Sequence, residues 1–194
     1  MLIVGITGGI GSGKTTVCKI FELIGVPVFY ADDEAKKIYN NKAIKLKVVK
    51  VFGATILNKN KEVDKKKLSE KVFNDKVLLA KLNAIIHPEV RKRFGEWRKK
   101  QKGKKYVIKE AAIMIESGAY KELDYLISIN SPKLLRIKGI INKNILTISE
   151  IKKRMNKQIS DKKRAEYSDV VITNDGKHSL IKQVLDLHKK LSRK

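Results

Sequence analysis

Cysteine, proline, tryptophan, arginine and acidic residues are all scarce in this 194-residue chain, and each shortage excludes something. The single cysteine, Cys18, cannot form an internal disulfide. It lies in a helical pattern behind a glycine-rich turn and reads as a small buried apolar residue. No segment approaches the roughly 20 consecutive apolar residues that span a bilayer. Met1-Leu2-Ile3-Val4 runs straight into glycines, without a basic region, a long apolar stretch and a cleavage site. The expected compartment is therefore the cytoplasm, with no membrane partner. Acidic groups number 20 against 44 lysines and arginines, a formal net charge of +24. Only Arg91, Arg93, Arg98, Arg136, Arg154, Arg164 and Arg193 are arginines. The other basic residues are lysines, in a chain also full of isoleucine and asparagine, which an A/T-biased coding sequence favours. A dedicated nucleic-acid face would show arginine clusters or interleaved aromatics. Neither stands out, so no specific nucleic acid is expected as partner. There is no internal repeat and no low-complexity linker, and the length suits one domain with a small insertion.

What is present alternates between strand and helix. Leu2 to Ile6 is an apolar run ending in glycines, and a helical pattern follows from Lys14 to about Ile24. Gly25-Val26-Pro27 breaks it, and a short strand covers Val26 to Tyr30. Helical spacing is predicted from Asp33 to about Phe52 and from Asp64 to Ile86. His87-Pro88 is expected to interrupt it before another helix runs to about Gln101. Trp97 shares a face with Phe94 and Val90, which reads as packing rather than base stacking. Tyr106 to Ile108, Tyr125 to Ile129 and Val170 to Thr173 read as further buried strands. Leu134 to Met155 reads as one helical stretch with a weak centre near Asn142 to Thr147, and Ser179 to Leu191 as a closing amphipathic helix. Strands separated by helices imply parallel pairing with right-handed crossovers. The expected fold class is α/β, a three-layer α/β/α sandwich on a parallel sheet with added helical elements.

The chemistry is carried by Gly8-Gly9-Ile10-Gly11-Ser12-Gly13-Lys14-Thr15, which satisfies G-x-x-x-x-G-K-[ST] between a predicted strand and a predicted helix. Glycines let successive N–H groups point inward around a phosphate, and the helix N-terminus adds its positive dipole end. Lys14 is expected to bridge the β- and γ-phosphates, and the Thr15 hydroxyl to ligate Mg²⁺, with Thr16 one place further on. The loop alone does not separate kinases from GTPases or motor ATPases. A base-reading N-K-x-D segment is missing, since Asn142-Lys143-Asn144 lacks the aspartate. Ala31-Asp32-Asp33 directly follows the second strand, whose C-terminal edge faces the same crevice as the loop. A carboxylate there is either a general base for an attacking hydroxyl or a helix N-cap.

Five segments in order make the chain resemble the dephospho-coenzyme A kinase family. They are Ile6-Thr7-Gly8-Gly9-Ile10-Gly11-Ser12-Gly13-Lys14, Val28-Phe29-Tyr30-Ala31-Asp32, Ile85-Ile86-His87-Pro88, Ile113-Met114-Ile115-Glu116 and Val170-Val171-Ile172-Thr173-Asn174. The resemblance runs nearly end to end and implies ATP-dependent phosphorylation of the ribose 3′-hydroxyl of dephospho-CoA, giving CoA and ADP, with Mg²⁺ accompanying ATP. By resemblance Asp32 would be the base, Lys14 and Arg136 catalytic partners, and Gly9 to Thr16 with Asn174 the ATP site. Thr7, Asp32, His87, Glu110 and Glu116 would face the acceptor, with Glu110 also supporting Mg²⁺ through water. His87 before proline is equally readable as a structural cap. Residues from about 33 to 104 would form a CoA-side helical insertion and those from about 134 to 160 a lid. The expected partners are ATP and dephospho-CoA, and the expected state is a monomer.

The chain departs from the family at several places. Gly139 and Lys143 stand where lid arginines are expected, while Arg154 and Gln158 fit the following segment. Ala112 replaces a proline, and Tyr30 takes a position often held by aspartate. A kinase for another small alcohol, such as a nucleoside monophosphate or a shikimate-like substrate, shares the loop, but the Thr-Gly-Gly opening and the His-Pro pair argue against it. A degenerate nucleotide binder would bind ATP without transfer, and a polyanion binder would show steep salt dependence.

Overall fold

The computed structural model describes residues 1–73, 75–142 and 147–193. Contacts divide the chain into two compact units, Met1–Tyr30 with Gln101–Lys194, and Ala31–Lys100.

The first unit is built on five strands, β1 (Leu2–Gly8), β2 (Val28–Tyr30), β3 (Tyr106–Glu110), β4 (Tyr125–Asn130) and β5 (Val170–Thr173). They pair in the order β2-β3-β1-β4-β5, every pair parallel. β1 is flanked on both sides, and β3 is buried along its whole length, as expected of strands covered on both faces. Among the described residues its α-helices are α1 (Lys14–Leu23), α6 (Lys133–Ile141), α7 (Ile148–Asn156), α8 (Asp161–Glu166) and α9 (Leu180–Ser192), numbered in chain order with those of the second unit. Val17, Cys18 and Phe21 of α1, with Val184, Leu187 and Leu191 of α9, pack against Val4, Ile6, Ile108, Ile127 and Ile172 of the sheet. Phe21 meets Tyr106 edge-on at 6.4 Å between ring centroids. A fully buried aliphatic side chain contributes about 1.5–3 kcal/mol, so this apolar layer is the main force closing the unit.

Register aligns the C-terminal ends of the strands. Ile6 pairs with Glu110, Gly8 with Ile129 and Asn130 with Thr173. The chain leaves β1 toward β2 and β3 on one side and reaches β4 and β5 on the other. The glycine-rich loop therefore emerges where the strand order reverses, the place at which open α/β sheets bind ligands.

The second unit is helical: α2 (Ala31–Ile38), α3 (Lys42–Phe52), α4 (Lys65–Phe73) and α5 (Lys76–Lys99). The first three helices pack against α5. Three expectations about helices are corrected. The stretch from Asp33 to Phe52 is two helices, because the Asn41 side chain accepts from the Ala43 and Ile44 amides and starts α3 afresh. The stretch from Asp64 breaks after Phe73, because Asp75 caps α5 through the Val77 and Leu78 amides. His87-Pro88 does not interrupt α5. Leu82, Ile86, Val90 and Phe94 are buried along one stripe on both sides of Pro88, and that burial offsets the missing N–H. Ala84, whose carbonyl loses its partner, is exposed and can turn to water.

The stretch from Leu134 to Met155 forms α6 and α7, capped at Asn142 and Thr147, the two ends of its expected weak centre. Thr147 opens α7 with a capping box, accepting from the Glu150 amide while Glu150 accepts from the Thr147 amide. Trp97 stacks on Phe94 at 6.0 Å between ring centroids, within α5.

Candidate active site

Gly13, with φ of 97°, is the left-handed residue that turns the loop into α1, a conformation costly for any residue with a Cβ. The Ser12 amide donates to the Gly9 carbonyl at 3.1 Å, which folds the loop on itself. Lys14 Nζ curls back over the loop, donating to the Gly8 carbonyl at 3.0 Å and the Gly9 carbonyl at 3.5 Å. It also stands 4.0 Å from the buried Glu110 carboxylate at the end of β3. Two positive sources, the ammonium and the helix N-terminus, thus meet in one turn of backbone. The Ser12 hydroxyl is buried with no hydrogen-bond partner among the described residues. An orphaned donor inside a cationic loop is what a phosphate oxygen would satisfy. Thr15 and Thr16 are exposed in the first turn of α1.

Arg136 lies across this loop. It is 6 % exposed, and its Nε donates to the Ile10 carbonyl at 2.8 Å and its Nη1 to Asp161 at 3.0 Å. A Cβ on Gly9 would fall 2.0 Å from Arg136 Nη2, so the guanidinium overlies bare backbone. Burial pushes the Arg136 pKa down and the Asp161 carboxylate opposes it; a guanidinium stays charged regardless. The Ile10 amide is taken by the Gln158 side-chain oxygen at 2.8 Å. Asn174 completes the enclosure through its side chain, donating to the Ser12 carbonyl at 2.9 Å.

The sequence-derived residues thus fall into two groups. Thr7, the loop from Gly9 to Thr16, Glu110, Glu116, Arg136 and Asn174 belong to the first unit. Thr7 is fully buried and its hydroxyl donates to the Ala112 carbonyl at 3.4 Å. Glu116 is exposed and accepts from the Ile159 amide at 3.2 Å, beside Gln158. Asp32 and His87 belong to the second unit: Asp32 is exposed in the first turn of α2, and His87 is partly buried on α5. Gly139 lies on the exposed side of α6, and Arg154 is exposed on α7. Lys143, expected in place of an arginine, and Asn144 of the string Asn142-Lys143-Asn144 lie outside the described residues.

Three features escaped the sequence. Asp161 pairs with both Arg136 and Arg164, the latter 1 % exposed. In sequence Asp161 follows the N-cap Ser160 and reads as an ordinary first-turn acid. The Tyr30 hydroxyl donates to Glu22 of α1 at 3.1 Å, and burial first, then nearby negative charge, pushes its pKa well up. Gln158 matched the pattern, but its contact with Ile10 spans 148 positions and had no local signal.

The donors around the loop bear on the kind of metal they could help hold. Among the described residues no group of three or more His, Cys, Asp or Glu could cage an ion. A threonine hydroxyl and one buried carboxylate near the loop are a sparse oxygen set. That suits Mg²⁺, which keeps its waters and takes most other ligands from substrate phosphates. Among the described residues no helix is long and apolar enough to cross a membrane.

Comparison with known proteins gives concordant results. The family described as Dephospho-CoA kinase matches residues 2–179. A dephospho-CoA kinase from Bacteroides fragilis is 34 % identical over 185 residues, covering 95 % of this chain and 90 % of the relative. One from Fusobacterium nucleatum is 36 % identical over 193 residues, covering 100 % and 96 %. The solved dephospho-CoA kinase from Campylobacter jejuni superposes with a TM-score of 0.70 at 28 % identity, covering 98 % of this chain and 97 % of that one.

Proposed function

This chain belongs to the dephospho-CoA kinase family, and on that premise we propose that it transfers the γ-phosphoryl group of ATP to the ribose 3′-hydroxyl of dephospho-CoA, giving CoA and ADP. The observation that carries the reading is the pairing of Lys14 and Arg136 on one glycine loop. Lys14 folds over the Gly8 and Gly9 carbonyls, and Arg136 overlies Gly9. Two fixed cations on a glycine loop at a helix N-terminus are suited to charge spread over a transferring phosphoryl group, where catalysis is mostly positioning and electrostatics.

The family reading assigns the other roles. Lys14 would hold the β- and γ-phosphates and Arg136 would stabilise the equatorial oxygens as the transfer proceeds. Asp32 would take the proton of the 3′-hydroxyl, whose oxygen attacks the γ-phosphorus while the β–γ bridging oxygen departs with ADP. Mg²⁺, held by the Thr15 hydroxyl with Glu110 acting through water, would neutralise charge on the two terminal phosphates. Thr7, His87 and Glu116 would face the acceptor, and Asn174 would border the nucleotide. Residues 33–104 would serve the CoA side and residues 134–160 the lid that excludes water. The reading includes a monomer working in the cytoplasm.

The test is ADP release from Mg·ATP with dephospho-CoA, AMP, shikimate or no acceptor. Turnover should require dephospho-CoA, and Asp32→Asn should abolish it. Equal turnover with AMP or shikimate, or full activity of Asp32→Asn, would count against the substrate and the base respectively.

A further inference from the structure

We propose that Asp161 is a positioning residue for phosphoryl transfer, one that fixes the plane of the Arg136 guanidinium over the phosphate loop. The proposal rests on the function proposed above.

A guanidinium is a rigid planar fork, so two bonds on different edges define its orientation. Arg136 has these two, Nε to the Ile10 carbonyl at 2.8 Å and Nη1 to Asp161 Oδ2 at 3.0 Å. They leave Nη2 over Gly9, at the mouth of the loop. With the Ile10 bond alone, the plane would be free to swing about it. Asp161 is a firm anchor because its other oxygen accepts a charge-assisted bond from Arg164 Nη1. Arg164 in turn donates through Nη2 to the Ile159 carbonyl at 3.0 Å and is almost fully buried.

The charge balance supports the same role. One carboxylate between two guanidiniums orients both but neutralises only one, so the triad keeps an excess positive charge beside the loop. A preset charge of that sign, in a partly desolvated position, needs no reorganisation when an anionic transition state forms. A purely structural pairing of Asp161 with Arg164 would not require the second bond to Arg136.

Asp161→Asn keeps the shape and an acceptor oxygen but removes the charge. It is expected to lower kcat for dephospho-CoA about ten-fold, with KM for dephospho-CoA changed less than about two-fold. The Arg136 Nε–H resonance, assigned by its loss in Arg136→Ala, should exchange slowly with solvent in the parent protein and faster in Asp161→Asn. Over an Arg136→Ala background, measured in single turnovers, Asp161→Asn should change the rate by less than about two-fold, since residues acting through one another are not additive. If Asp161→Asn does not fold, Asp161→Glu keeps a carboxylate for Arg164 while shifting it, and the same readouts apply. An unchanged Arg136 Nε–H exchange rate, a kcat within about two-fold of the parent, or a ten-fold loss persisting over Arg136→Ala would each overturn the proposal. If the parent transfers nothing to dephospho-CoA, the functional reading fails, while the exchange measurement still decides whether Asp161 holds Arg136.

Discussion

Gly9 shows how much one hydrogen in place of a methyl can decide. Its φ is not in the left-handed region, so alanine could adopt the same backbone, but the added Cβ would lie 2.0 to 2.8 Å from three atoms of the Arg136 guanidinium. The flexible arginine, not the loop, should give way. Gly9→Ala is expected to fold with a melting temperature near that of the parent and to lose about 10³-fold or more in kcat, the scale of a lost arginine finger. A kcat within about two-fold of the parent would show that Arg136 acts elsewhere. Cys18 offers a second test. Burial first, then the Glu110 and Glu22 charges, pushes its thiol pKa well up, so it should stay protonated and resist alkylation in mildly alkaline buffer until the protein is unfolded. Rapid labelling of the native protein would contradict that burial. These residues also mark what the sequence could tell. The glycine turn into α1 with Lys14 folded over it was legible because it is written in eight adjacent positions. The Asp161 pair with Arg136 and the Gln158 bond to Ile10 were not, because they join segments 25 and 148 positions apart.

At the scale of elements, α6 carries a local weakness. Gly139 lies inside α6, and a Cβ built on it meets nothing within 4 Å. Gly139→Ala should therefore stabilise the protein by about 0.5–1 kcal/mol through reduced backbone entropy alone, read as a higher denaturation midpoint. Destabilisation would mean that α6 needs the freedom of glycine. All five strands were legible as apolar runs, to within two residues at each end: burial on both faces leaves an unmixed hydrophobic signature in β1, β3 and β4, and the partly buried edge strands β2 and β5 are short and apolar as well. Helix boundaries fared worse. Asn41 and Asp75 are ordinary capping residues, but each sits between two stretches of compatible helical spacing, and periodicity hid the cap, whereas the weak centre ending at Thr147 did mark the start of α7. Pro88 misled in the opposite direction. A proline signals a break, but a buried stripe continuing on both sides of it overrode the signal.

For the whole molecule, a net charge of +24 acts on any anion approaching it. ATP and dephospho-CoA both carry phosphates, so KM for each should rise several-fold between low ionic strength and about 0.3 M salt as screening shortens the reach of the field. The kcat should stay nearly constant, because the site's own cations lie inside the screening length. A salt-independent KM would leave the lysine excess with compositional drift as its explanation. The strand order has a further consequence, in time rather than space. β1 begins at Leu2, yet both of its partners, β3 and β4, start after residue 105. On the ribosome the phosphate loop is therefore made long before it can be held, because its strand waits for β3, which starts at Tyr106. The helical unit from Ala31 to Lys100 is continuous and can bury its own core in the meantime. Nascent chains ending before Asn130 should accordingly expose β1 and the loop to protease, and chains released after β4 should protect them.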